Sequence, residues 1–220
     1  MNRITLNNNI QMPMLGFGTF LMGGSECEES VLAAIRSGYR MIDTAEAYGN
    51  EEAVGNAIVK SGIPREELFL VTKVNFRSYE NTRETVEASL NKLKTSYLDL
   101  VLLHWPFGNY YAAWRELEKM YHEGKIRAIG VSNFDPGRLI DLIEFNEVDP
   151  LSTRLKPICS ASAVPNMNGW KNIMFSIWLT RRWGRGERMK CSKIPIWWRL
   201  QKHMVKPRLR SHCGISCRAV

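Results

Sequence analysis

Asp43, Tyr48, Lys73 and His104 are the residues of this 220-residue chain whose types and order could do chemistry. A phenol loses its proton near about pH 10 and is a poor acid at neutral pH. A neighbouring ammonium favours the phenolate and so makes the phenol a better proton donor. A carboxylate can hold that ammonium in place and keep it charged. An imidazole can hydrogen-bond a substrate carbonyl and orient it. Together the four groups suit carbonyl reduction, in which a hydride arrives from a nicotinamide and the phenol protonates the developing alkoxide. Each has an ordinary alternative. Tyr48 could be a packing residue, Lys73 a solvated strand-end charge, Asp43 a cap, and His104-Trp105-Pro106 a turn. Their combination in this order points to a site.

The elements that must position these groups alternate in type along residues 1–150. Ile4–Leu6 and Gln11–Met14 flank Asn7–Asn9 as a small hairpin. A first core strand is predicted near Met14–Phe20. Ser25 with Glu28 reads as a capping box, opening a helix with Val31, Leu32 and Ile35 on one face and its end at Gly38. A strand follows from about Arg40 to Asp43. A helix then starts after Asn50 and stops at Gly62-Ile63-Pro64. Strands Leu68–Thr72, Leu98–Leu103 and Arg127–Val131 alternate with helices carrying Val86, Leu90 and Leu93, and Trp114, Leu117 and Met120. A last helix opens with Asp135 as cap and Pro136 at its first position.

Five apolar strands, each followed by a helix, argue an α/β fold with a parallel sheet buried on both faces. An open doubly wound sheet and a (β/α)8 TIM barrel both satisfy that pattern. No G-x-G-x-x-G follows the first strand, which weakens the dinucleotide-binding doubly wound form. Asp43, Lys73, His104 and the pair Ser132-Asn133 each fall at the C-terminal end of a different strand. A barrel places its catalytic groups there.

The motifs D-T-A-x-x-Y-G-N-E from Asp43, T-K at Lys73, L-L-H-W-P around His104 and G-K-I-R-A-I-G-V-S-N-F up to Phe134 resemble successive signatures of the aldo-keto reductases. The likeness is to the bacterial branch that includes 2,5-diketo-gluconate reductases. It implies a (β/α)8 barrel and a reductase of aldehydes or ketones. It also implies NADPH as cofactor, with NADH as the alternative, and neither metal nor flavin. Carried over by resemblance, Tyr48 is the general acid and Lys73 its charged partner. Asp43 supports Lys73, and His104 orients the carbonyl. Gly18 and Thr19 lie near the nicotinamide, with Asp43 beside them, and Ser132 and Asn133 hold the carboxamide. Phe20 and Trp105, with Tyr48 and His104, line the substrate pocket. Asn75-Phe76 departs from the pattern, since many relatives carry Trp where Asn75 stands.

The resemblance covers about residues 1–150. A barrel of this type typically needs about 250 residues, so these motifs account for about five βα units of a partial barrel. Residues 151–220 hold 15 of the 30 Lys and Arg, one of the 22 acids, five of the seven Trp and no Tyr. Net charge is −6 over 1–150 and +14 over 151–220. That break is read in three ways: a shifted reading frame near residues 148–152, a basic arm binding nucleic acid through phosphates and stacking, or a zinc site from Cys191, His203, His212, Cys213 and Cys217. The frameshift accounts best for a bias to Arg, Trp, Cys and Ser. It predicts a truncated, impaired enzyme; the rivals are an inactive fragment with a nucleic-acid-binding tail and a redox-sensing regulatory subunit that binds cofactor without turnover. Open strand edges in a five-stranded sheet would favour aggregation.

Other calculable features are plain. No apolar run nears the roughly 18 residues of a membrane span. The N-terminus is polar and lacks a signal-peptide core, so a cytoplasmic location and a small carbonyl substrate are expected. Five scattered cysteines suggest no disulfide framework.

Overall fold

The computed structural model describes residues 3–150 and, as backbone alone, 152–155 and 176–179. The chain opens with an antiparallel hairpin, β1 (Arg3–Thr5) against β2 (Gln11–Pro13). Asn9 closes its turn at φ 66°, a conformation that Asn tolerates.

A parallel sheet follows. Its strands are β3 (Phe17–Gly18), β4 (Met41–Asp43), β5 (Phe69–Val74), β6 (Leu100–Leu103), β7 (Ile129–Ser132), β8 (Ser152–Leu155) and β9 (Ser176–Leu179). Each pairs in parallel with the next, so spatial order equals chain order. A doubly wound sheet reverses its order at a switch point. This one does not, which is the winding of a (β/α) barrel.

Among the described residues, five helices lie in the connections: α1 (Gly24–Arg36), α2 (Glu51–Ser61), α3 (Thr82–Lys92), α4 (Tyr110–His122) and α5 (Pro136–Glu144). Asp135 caps α5 by accepting from the Arg138 N–H at 3.1 Å, as its sequence suggests. The capping box at Ser25 does not form. Gly23 takes the cap position with no side-chain bond, so Ser25 lies inside the first turn. Glu28 instead pairs with Lys60 of α2.

The alternation of side chains along each strand separates two cores. Ile42, Leu70, Val101, Leu103, Ile129 and Val131 pack outward with the helices, in a cluster that includes Val31, Val54, Val86, Trp114 and Leu139. Met41, Phe69, Val71, Leu100, Leu102 and Ala128 face inward and are covered by Leu6 and Met12 from the hairpin segment. Beside them Asp99 is buried and accepts from Arg65 at 2.7 Å, Arg127 at 3.0 Å and the Leu70 N–H at 2.9 Å.

Two features differ from the sequence reading. The first core strand is only Phe17–Gly18, because Met14 and Leu15 are exposed and the chain turns at Thr19. Among the described residues the sheet also has seven strands rather than five, since β8 and β9 extend it beyond residue 150. Their segments, Ser-Thr-Arg-Leu and Ser-Ile-Trp-Leu, carry no sustained period, and backbone pairing alone defines them. The zinc and nucleic-acid readings of the tail, and the remainder of the basic segment, lie outside the described residues. Among the described residues, no helix is long and apolar enough to cross a membrane.

Candidate functional site

The same period of two that builds the inner core carries three of the candidate residues to its upper end. Asp43 follows Met41 on the inner face of β4, and Lys73 follows Phe69 and Val71 on β5. His104 continues Leu100 and Leu102 one residue beyond β6. The strand register sets Gly18 beside Asp43, and Lys73 beside Leu102. Three chemically active side chains therefore replace apolar ones at the C-terminal end of the interior.

Lys73 is buried and forms an ion pair with Asp43, whose side chain is also nearly buried. Its ammonium donates a second bond to the Thr44 carbonyl at 2.5 Å. A buried charge is tolerated only when paired and hydrogen-bonded, and both conditions are met here.

Tyr48 ends a 3-10 turn, Glu46–Tyr48, that closes through Gly49 at φ 66°. The Lys73 ammonium lies 5.0 Å from the centre of its ring. The His104 ring meets it edge-on, 5.9 Å between centroids and 74° between planes. Phenol, ammonium, carboxylate and imidazole are thus one cluster.

Aromatic rings flank that cluster on both sides. Phe20, 53% exposed, lies 5.0 Å from the Tyr48 ring. Trp105 stacks at 28° and 6.0 Å on His104, and Phe107 stacks at 12° and 5.9 Å on Trp105. Phe76 meets Phe107 edge-on at 5.6 Å. Asn75, where the sequence departs from its relatives, folds back to accept from the Arg77 N–H at 3.1 Å. The aromatic wall on this side is therefore built from Phe76 and Phe107.

The residues expected near a nicotinamide divide into two groups. Ser132 ends β7 and Asn133 follows at φ 63°. Asn133 donates to the Ser132 hydroxyl at 2.9 Å and to the His104 carbonyl at 2.8 Å. Both therefore sit beside the cluster. Gly18 is exposed at the strand end, where an added Cβ would come 4.0 Å from the Asp43 carboxylate. Thr19 is fully buried, with its hydroxyl turned to the Asp43 carbonyl at 3.3 Å and to Asn50 at 3.4 Å. The surface at this corner belongs to Gly18 and Phe20.

Two supporting residues were not singled out from the sequence. Asn50 is buried and donates to the Thr19 and Met22 carbonyls, each at 2.8 Å, while accepting from Thr44 at 2.8 Å. It ties the Gly18–Met22 turn to the segment after Asp43. Glu46 accepts from the Asn75 N–H at 2.9 Å and the Ser78 hydroxyl at 2.6 Å, joining the Tyr48 turn to the segment after Lys73. Both lie within or beside the Asp43–Glu51 motif, and their positions there were the one available signal. Among the described residues, no group of three or more His, Cys, Asp and Glu side chains is placed to hold a metal.

A family model described as Aldo/keto reductase family matches residues 14–164, reaching past the composition break at 150. Glyoxal reductase of Bacillus subtilis (strain 168) is 48% identical over 157 residues, covering 70% of this chain and 57% of that protein. An aldo-keto reductase of Mycolicibacterium vanbaalenii is 43% identical over 178 residues, covering 78% of this chain and 64% of that protein. Among solved structures, an aldo/keto reductase from Brucella melitensis aligns with TM-score 0.69 and 40% identity, covering 70% of this chain and 62% of that one. The aldo-keto reductase MGS-M4 from a deep-sea metagenome library aligns with TM-score 0.68 and 44% identity, covering 70% and 58%. This chain thus spans less than two thirds of the length of these relatives. The matched range takes in Asp43, Lys73, His104 and Ser132, and the chain belongs to the aldo/keto reductase family.

Proposed function

We propose that this chain is an NADPH-dependent reductase of small aldehydes or ketones, with Tyr48 as its acid. The carrying observation is the clustering of Tyr48 with the buried Lys73–Asp43 pair and His104 at the upper end of the interior. The donor set beside it fits a nicotinamide. Ser132 and Asn133 offer uncharged hydroxyl and amide groups, suited to a neutral carboxamide. Exposed Gly18 offers a flat surface with no side chain in the way. Bound there, the reduced nicotinamide would supply a hydride to the substrate carbonyl carbon.

This chain's own residues do the rest. The His104 imidazole directs the carbonyl oxygen toward Tyr48. The Tyr48 O–H bond breaks as its proton passes to the developing alkoxide, and the Lys73 ammonium stabilises the phenolate left behind. Asp43 keeps that ammonium charged and in place. Water then returns the proton to Tyr48. Phe20 and Trp105 exclude solvent around the carbonyl.

NADPH is preferred over NADH here by family resemblance. The basic segment that the resemblance expects to hold the adenosine 2′-phosphate finds no match in residues 151–220. Because a relative is named glyoxal reductase, glyoxal is the first substrate to try. The test is steady-state oxidation of NADPH and of NADH by the purified 220-residue chain with glyoxal and with benzaldehyde. Turnover that depends on the aldehyde supports the reading. Its absence with both cofactors and both aldehydes contradicts it.

The composition break after residue 150 supports a shifted frame in the tail and a truncated, impaired enzyme. Resequencing codons 140–160 and translating the other frames tests that reading. A second reading, an inactive fragment with a nucleic-acid-binding tail, is favoured only by the +14 charge of residues 151–220. It predicts DNA binding that weakens steeply with salt.

A further inference from the structure

The segment His104-Trp105-Pro106 carries the imidazole and the stacked indole, yet it lies in neither helix nor strand. Such a segment leaves backbone polar groups to be satisfied one by one. Proline has no N–H, so three residues present five such groups. All five are taken by partners from outside the segment. The His104 N–H donates to the Val74 carbonyl at 3.0 Å. The His104 carbonyl accepts from Asn133 at 2.8 Å. The Tyr79 hydroxyl donates to the Trp105 carbonyl at 2.7 Å and accepts from the Trp105 N–H at 3.3 Å. Arg138 donates to the Pro106 carbonyl.

Tyr79 is central to this arrangement. It is buried in the helix-facing core between α3 and α4, and belongs to the turn Phe76–Asn81 after β5. One hydroxyl grips both polar groups of Trp105, so the peptide planes on either side of that residue are fixed together. Burial pushes the Tyr79 phenol well above its ordinary value, against a weaker lowering by its bonds to the Trp105 and His104 backbone. The hydroxyl therefore keeps the proton it donates throughout the working pH range. The three side chains come from three places in the chain: Tyr79 after β5, Asn133 after β7, and Arg138 on α5.

We propose that Tyr79 is a positioning residue for the carbonyl-orienting histidine: with Asn133 and Arg138 it braces the His104–Pro106 segment and so sets where the imidazole and the Trp105 ring stand. This rests on the reductase reading above for its consequence in catalysis, and on the hydrogen bonds alone for its structural content. Small displacements of a positioning group weigh more on turnover than on binding.

The experiment is Tyr79→Phe in the 220-residue chain, which keeps the ring and removes the hydroxyl. Two readouts are taken together. The first is kcat and KM for glyoxal with NADPH. The second is the side-chain proton–nitrogen NMR signals of His104, identified through His104→Gln, with those of His122 on α4 as the internal reference. The expected result is a fall in kcat of about tenfold, a KM changed less than about twofold, and His104 signals displaced while those of His122 stay. Arg138→Met should act in the same direction with a smaller loss of kcat, and carries both readouts if Tyr79→Phe does not fold. Unchanged kcat and unchanged His104 signals in a folded variant overturn the proposal. If the parent chain shows no turnover, the reductase reading fails, and the His104 signals then decide the brace by themselves.

Discussion

The Lys73 ammonium and the Asp43 carboxylate form an ion pair at the upper end of the interior, the lysine side chain wholly buried and the aspartate nearly so. Removing one partner of a buried pair leaves the other charged and desolvated, at a cost of about 3–5 kcal/mol. Asp43→Asn should therefore destabilise the fold by roughly that amount. Adding Lys73→Met to it should restore part of the loss, because the stranded charge is gone. Urea unfolding of the two variants and the parent checks this. A double variant no more stable than Asp43→Asn would mean that the pair does not behave as a unit.

Much of this site was legible in the sequence because strand periodicity and chemistry coincide. Asp43, Lys73 and His104 each stand two residues after an inward apolar residue, so the pattern that marks the core also marks the site. Helix ends at Gly62 and the Asp135 cap were legible for the same local reason. The capping box failed because Gly23 could serve as the cap and Glu28 had a better partner in Lys60, 32 residues away. Asn50, Glu46, Tyr79 and Arg138 act on backbone groups that the chain brings close only after folding, and no spacing rule marks them. The strands β8 and β9 pair through backbone in segments without apolar alternation, so periodicity missed them.

Asn50 joins the turn that carries Phe20 to the segment after Asp43 through a buried amide with both ends engaged. Asn50→Ala should cost about 3 kcal/mol, since several buried polar groups lose their partners at once. It should also lower kcat/KM for an aldehyde more than it lowers the melting temperature would suggest, because Phe20 loses its support. Chemical unfolding and steady-state kinetics on one preparation check both effects. Wild-type stability would contradict the assignment.

Gly55 lies where α2 crosses the end of α3. A Cβ there would sit 2.2 Å from the Lys92 carbonyl oxygen and 2.9 Å from the Leu93 backbone. Backbone cannot swing aside as a side chain can. Gly55→Ala should destabilise by about 3 kcal/mol or more, at the upper end of overpacking costs, despite alanine's better helix propensity. A thermal melt checks it; a rise in the midpoint would show that α2 and α3 stand farther apart.

Arg83 on α3 bridges Glu116 and Glu123 at 2.5 Å and 2.7 Å. Its hydrogen bond holds the Glu123 carboxyl below the usual range. At Glu116 burial pushes the carboxyl up, but bonds from Lys119 and Arg83 outweigh it and the net direction is down. A lowered folded-state value gives stability that is present above the unfolded value and is lost as pH falls through the folded one. The melting temperature should therefore decline as pH drops below about 4.5. Arg83→Met should flatten that decline by lowering the melting temperature at neutral pH, where the pairs are formed, and leaving it unchanged in acid, where they are not; the loss is small because these charges are largely solvated. Melting curves across the acid range check the sign; an Arg83→Met profile parallel to the parent would contradict it.

If Tyr48 gives its proton to the substrate, Tyr48→Phe compared with the parent chain will show it. The variant keeps the ring against Phe20 and His104 and loses only the hydroxyl. With saturating NADPH and glyoxal, its kcat should fall by about a hundredfold or more, while binding of NADPH, followed by quenching of protein fluorescence, stays unchanged. Equal turnover by the variant and the parent would contradict the assignment of Tyr48 as the acid.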